Sequence, residues 1–252
     1  MRTPISRGYP LAAATGAGLM VFLALLVGSP ARAQVADNEI FTSVIADQLE
    51  YRANEGVNTF RWDVQGWLGT DYNKLWVKTE GEQRLSRDHG GDAEVQALYS
   101  RLISPFWDFQ VGVRYDKVYG AGPDPSRAFA VIGVQGLAPY LFELEPALFV
   151  SEDGDVSARI TGTYDLLVTQ RLVAQPRFET NIAAQEVKKF EVGSGINDVS
   201  LGLRLRYEIK REFAPYIGVS WQRKLGNTAD LARAEGTGID NLSFVAGVQL
   251  WF

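Results

Sequence analysis

Cysteine is absent from this chain, histidine occurs once and methionine twice. Without thiols no disulfide framework and no thiolate metal site can form. No apolar run approaches the roughly 20 residues that a helix needs to cross a hydrocarbon core. The basic residues are also too few for the acids, with 25 Lys and Arg against 30 Asp and Glu, which disfavours a polyanion such as nucleic acid as partner.

What is present begins with an address. Arg2 and Arg7 precede the apolar run from Leu19 to Val27, which is followed by Pro30 and Ala31-Arg32-Ala33. This is the layout of a secretory signal peptide, residues 1–33, with cleavage expected after Ala33. Nine apolar residues are too short for a transmembrane anchor. The leader holds Met1 and Met20, so the exported chain is expected to lack methionine as well. It also holds three of the 25 basic residues and none of the 30 acidic ones, leaving the remainder at about −8. A short periplasmic lead-in, residues 34–40, would precede one domain, residues 41–252.

That domain alternates. Twelve stretches of about ten residues place apolar side chains at every second position, each ended by Gly, Pro, Asn or Asp. Val199 to Ile209 is the most regular, with Val199, Leu201, Leu203, Leu205 and Tyr207 on one face and Arg204, Arg206 and Glu208 on the other. Phe60 to Gly69, Leu75 to Arg84, Asp108 to Val118, Tyr140 to Val150, Val156 to Tyr164 and Leu172 to Ile182 divide the same way. Val44 to Arg52, Glu94 to Ile103, Arg127 to Gly136 and Pro215 to Lys224 are weaker. The last stretch carries Leu242, Phe244, Ala246, Val248 and Leu250 and ends on Phe252. Strand side chains alternate between faces, so such a set puts one face on lipid and the other on a lumen. The expectation is an all-β fold: a transmembrane up-and-down antiparallel β-barrel of about twelve strands in the bacterial outer membrane, following a cleaved signal peptide. Pro146 and Pro176 cannot donate to a ladder, and a bulge is expected near each.

Connections should alternate in length, with short periplasmic turns at 70–73, 104–107, 137–139, near 167–170 and at 211–213, and longer outer loops at 87–92, 120–126, 185–197 and 226–240. Tyr72, Phe106, Trp107, Tyr140 and Phe213 fall beside the short turns, as an interfacial aromatic girdle requires. A soluble β-protein would alternate similarly strand by strand, but the leader, the terminal phenylalanine and the loop asymmetry weigh against it. On the lumen face stand Glu50, Arg52, Arg61, Asp63, Lys78, Glu80, Glu82, Arg84, Asp108, Arg114, Asp116, Glu143, Glu145, Arg159, Asp165, Arg177, Glu179, Arg204, Arg206 and Glu208. Both signs are mixed, so a filled, ion-paired lumen is expected rather than the aqueous channel of barrels with about sixteen strands.

Several segments carry a family resemblance: Asp47-Gln48-Leu49-Glu50-Tyr51-Arg52, Trp62-Asp63-Val64-Gln65-Gly66-Trp67, Lys78-Thr79-Glu80-Gly81-Glu82, Pro105-Phe106-Trp107-Asp108, Gly133-Val134-Gln135-Gly136-Leu137-Ala138-Pro139-Tyr140 and Phe213-Ala214-Pro215-Tyr216. Through nearly the whole exported chain these resemble the copper resistance protein B family of bacterial outer-membrane proteins. The resemblance implies a role in copper resistance and homeostasis, with copper bound or passed outward. It implies outer-membrane lipid and copper ions as partners, with periplasmic copper-resistance proteins as candidates. Members of that family often carry a Met- and His-rich segment between leader and barrel; here only residues 34–40 intervene.

Soft thioethers suit Cu(I) and imidazoles suit Cu(II), so copper on this chain would rest on oxygens, with or without His89. One candidate set is His89 with Asp88, Asp92 and Glu94 in an outer loop, where a solvated histidine is the plain alternative. The second is the lumen carboxylates Asp63, Glu80, Glu82, Glu143 and Glu145, which Lys78 and Arg84 could neutralise instead. A passive pore or purely structural barrel is the rival class. A hydrolase would need a serine activated by a base; His89, the sole histidine, sits in a Gly-rich loop without a matching Ser or Asn, so no catalytic role is expected.

Overall fold

The computed structural model describes residues 39–86, 90–120 and 125–252. The expected signal peptide and nearly all of the lead-in lie outside the described residues, as do Asp88 and His89. Twelve long strands follow in chain order: β1 Phe41–Ala53, β2 Thr59–Gly69, β3 Asn73–Arg84, β4 Gly91–Ser104, β5 Trp107–Tyr119, β6 Ser126–Ala138, β7 Phe142–Ser151, β8 Val156–Thr163, β9 Leu172–Ala183, β10 Gly195–Tyr207, β11 Phe213–Lys224 and β12 Asp240–Trp251. Each pairs antiparallel with its sequence neighbour, and β12 pairs with β1, so the sheet closes on itself. Closure removes the unpaired edges that a bilayer would not tolerate.

The burial pattern is that of a membrane barrel. Phe244 and Ile217 are 67% and 65% exposed on the outer face, whereas Glu50, Arg204 and Gln48 are buried inside. Among the described residues fifteen polar or charged side chains are buried against thirteen apolar ones, the reverse of a water-soluble domain. One apolar cluster does fill part of the lumen, where Trp76, Leu98, Phe129, Val131 and Phe149 pack with Trp67 and Ala147 on the inner wall of β2 to β7.

The seam depends on the last residue. Val44 N–H donates to Phe252 O at 2.9 Å and Phe252 N–H returns to Val44 O at 2.8 Å. Deleting Phe252 removes both bonds, each worth about 0.5–1.5 kcal/mol net, for a loss of about 1–3 kcal/mol at the closing strand pair. The folded form should then lose its faster gel mobility at a lower temperature than the parent; an unchanged transition would count against a closing role for the residue.

Several expectations need correction. Neither proline makes a bulge. At Pro146 the β6–β7 ladder lapses between Gly133↔Ala147 and Gly136↔Leu144 and resumes in the same register. At Pro176 the ladder to β8 lapses and resumes in register through the two-residue segment Leu166–Leu167. A missing N–H costs one rung without requiring an extra residue. Register shifts occur instead at Ala46 to Leu49, Leu102 to Ser104 and Asn181 to Ile182. Strand β7 starts at Phe142 because Tyr140 and Leu141 adopt φ of 69° and 65° in the turn. Gly91 and Asp92, expected in an outer loop, belong to β4. The expected 226–240 loop contains a helix, α1 Gly226–Ala234, which buries Thr228, Ala229 and Ala232. The β7–β8 connection, an outer one, is a tight turn at residues 152–155.

Candidate functional site

Cross-lumen ion pairs divide the barrel interior. Arg159 on β8 reaches β3 and β4, where it bonds Glu80 and places Nη2 2.8 Å from Glu94 Oε2. Arg177 on β9 reaches Asp63 on β2 at 3.2 Å, and Arg61 on β2 lies 4.0 Å from Glu179 on β9. Lys78 on β3 meets Glu145 on β7 at 2.8 Å. These strands lie on opposing walls of a twelve-membered ring, so the pairs are struts across the lumen. Arg114 adds a 2.7 Å contact to Glu94 and stacks over Phe149 at 4.5 Å. A second knot surrounds Glu50, which accepts from Arg52 Nε at 2.7 Å, from Arg204 Nε and Nη2 at 2.9 Å each and from Tyr216 Oη at 3.0 Å. The glycine at 247 makes room for that knot, since a Cβ there would stand 2.7 Å from Tyr216 Oη.

On the short-turn side of these struts lies a cavity of about 670 Å³. Its rim includes the exposed Leu141, Arg211 and Trp251, so it opens at the end that the short turns mark as periplasmic. Eight carboxylates and five basic groups line it: Asp47, Asp63, Glu80, Glu94, Glu143, Glu145, Asp165 and Glu208 against Lys78, Arg159, Arg177, Arg206 and Arg211. The excess of negative charge, in a recess lined by the barrel wall and open at one end, favours cations. Its apolar wall is Leu98, Val131, Ala147 and Phe149.

The residues expected to bind metal separate in this arrangement. Asp63, Glu80, Glu143 and Glu145 share the cavity, but each except Glu143 is held by a basic partner. Glu82 turns to Arg52 at 3.3 Å and does not line the cavity. Glu94, expected beside His89 in an outer loop, points into the lumen from β4 because the ladder extends to Gly91. Asp92 sits at the start of β4, opposite Glu82 in the ladder. Among the described residues no three His, Cys, Asp or Glu side chains converge closely enough to hold a metal ion. Sequence reading passed over Asp47, Gln48, Gln65, Gln135 and Gln249. Glutamines carry no charge to flag them, and a bulge that turns Asp47 onto the same side as Gln48 leaves no mark in a period-two pattern.

Residues 40–252 match the family model described as copper resistance protein B precursor (CopB). The chain is 43% identical over 218 residues to copper resistance protein B of Escherichia coli, covering 86% of this chain and 72% of that protein. It is 39% identical over 220 residues to the copper resistance protein B homolog of Pseudomonas syringae pv. tomato, covering 87% and 72%. Among solved structures, the KdgM porin superposes with a TM-score of 0.51 at 10% identity over 83% of this chain and 99% of that one, a likeness of fold alone. A closed twelve-strand barrel of the outer-membrane kind, matched through its whole length at the level of sequence, belongs to the copper resistance protein B family.

Proposed function

We propose that this outer-membrane barrel takes copper ions from the periplasm into its acidic vestibule and thereby sequesters them or helps to move them outward, without catalysing a reaction. The observation that carries this reading is the cavity's surplus of carboxylates at the short-turn mouth, closed on the far side by arginine struts. Oxygen donors are hard, so the form accepted is Cu(II) rather than Cu(I). Copper is cargo here, delivered at the short-turn rim by diffusion or by a docking periplasmic copper-resistance protein.

Deleting the gene should lower tolerance to copper and leave tolerance to nickel and zinc unchanged, and the wild-type chain should restore it. Growth curves on graded metal concentrations read this directly. Unchanged copper tolerance, together with steady ion conductance showing no copper preference, would favour the passive-pore reading instead.

A further inference from the structure

We propose that the bulge in β1 builds an oxygen-only site for one divalent cation in the vestibule wall, formed by Asp47, Gln48, Asp63 and Gln65. The register supplies the first observation. Against β2 the pairing steps from Ala46↔Val64 to Gln48↔Asp63, and against β12 from Ala46↔Leu250 to Leu49↔Val248, so β1 carries one extra residue at this point. Alternation would send one of two consecutive residues into lipid; the bulge turns both Asp47 and Gln48 onto the cavity. Re-aiming a side chain in this way is what a bulge accomplishes beside a functional site.

The second observation is unsatisfied oxygen. Gln48 is 3% exposed, lines the cavity, and its Oε1 receives no hydrogen bond. The Oε1 of Gln65 is also buried without a donor. Its orientation is fixed, because Gln65 Nε2 donates to Asp47 Oδ2 at 2.7 Å, which leaves the oxygen as the free end. Two buried amide oxygens without donors in one small region are uncommon, since buried polar groups are ordinarily paired.

The third observation is charge. Asp47 accepts from two amides, Gln65 at 2.7 Å and Gln249 at 3.1 Å, but makes no ion pair among the described residues. Asp63, opposite Gln48 in the ladder, spends Oδ2 on Arg177. A water molecule could satisfy the two amide oxygens but would leave the Asp47 charge unanswered. A cation answers both, with carboxylates supplying charge and amide carbonyls completing a hard coordination shell. Identifying that cation as Cu(II) rests on the copper reading above; the oxygen site itself does not.

The experiment titrates CuCl2, CaCl2 and, anaerobically, Cu(I) into the purified barrel in detergent, with electron paramagnetic resonance of the Cu(II) form. Expected is one equivalent of Cu(II) with an oxygen-only spectrum, no comparable Cu(I) binding, and affinity at least about tenfold weaker in Asp47→Asn and in Gln48→Leu, while Asp240→Asn on the outer surface is unchanged. Gel mobility confirms that each variant is folded, and the wild-type spectrum tests the site even if a variant fails. Equal affinity in both vestibule variants, or nitrogen hyperfine structure abolished by His89→Ala, would overturn the site and leave the copper reading standing. Failure of the wild type to bind any of the three ions would overturn it too. Calcium binding lost in Asp47→Asn, in a protein whose deletion does not alter copper tolerance, would support the site and overturn the copper reading.

Discussion

Replacing Glu50 by alanine is expected to destabilise the barrel by about 3–5 kcal/mol, the cost of stripping a buried charge of its partner. The side chain is 0% exposed, and four hydrogen bonds end on its two oxygens, from Arg52, Arg204 and Tyr216. Arg204 grips it as a fork, one nitrogen to each oxygen, which is the strongest geometry available to this pair. Arg204 is itself buried, with a side chain only 3% exposed, so it cannot turn to water once the carboxylate is gone. Arg52 retains Glu82 at 3.3 Å and suffers less. Glu50→Gln keeps the shape but removes the charge, and should recover only part of the loss. Glu50→Leu combined with Arg204→Met removes both charges and should lie closer to the parent than Glu50→Ala does, because an apolar pair leaves nothing buried and unpaired. Urea titration followed by intrinsic fluorescence or gel mobility orders these variants. If Glu50→Ala unfolds at the parent midpoint, the knot is not what holds β1 to β10 and β11.

The double variant Arg159→Ser, Arg177→Ser is expected to turn a nearly closed barrel into a conducting one, with single-channel conductance several-fold above the parent. Twelve strands enclose a lumen that long side chains can fill, and here the filling consists of struts between opposite walls. Arg159 joins β8 to Glu80 and Glu94, while Arg177 joins β9 to Asp63. Serine empties the axis, takes the Arg177 partner from Asp63 and leaves Glu80 and Glu94 with only Arg61 and Arg114, so the new current should be carried by cations. Reversal potentials across a salt gradient read the selectivity. The surrounding ladders are untouched, so the variant should still assemble, although less stably. Parent-level conductance in an assembled double variant would show that the lumen is closed by something other than these arginines.

Much of this molecule could be read from its residues in order. Period-two alternation in Val199 to Ile209 and in the last strand marks the lipid face, because each strand meets oil on one side and polar groups on the other whatever its neighbours are. The short turns and the aromatics beside them were equally legible: Tyr72, Phe106 and Tyr140 are exposed at that end. The family resemblance, whose segments run from Asp47 to Tyr216, was legible as well, and the family model matches residues 40–252. Less visible were features that depend on a partner strand. A proline reveals that a rung is lost but not whether the register slips, and at Pro146 and Pro176 it does not slip. The helix within the 226–240 connection has no strong apolar stripe to announce it, and its buried face consists of Thr228, Ala229 and Ala232.

The sequence by itself determined a barrel, its strand number, its greasy outside and its charged inside, since those follow from local alternation and from the solvent on each side. Only the tertiary structure decided which charge answers which across the lumen, that Glu94 faces inward, and that an extra residue in β1 turns Asp47 and Gln48 together onto the cavity. The physical reason is range: a strand's facing is set by its nearest neighbours in the chain, whereas Arg159 and Glu80 are 79 residues apart and meet only because the sheet closes.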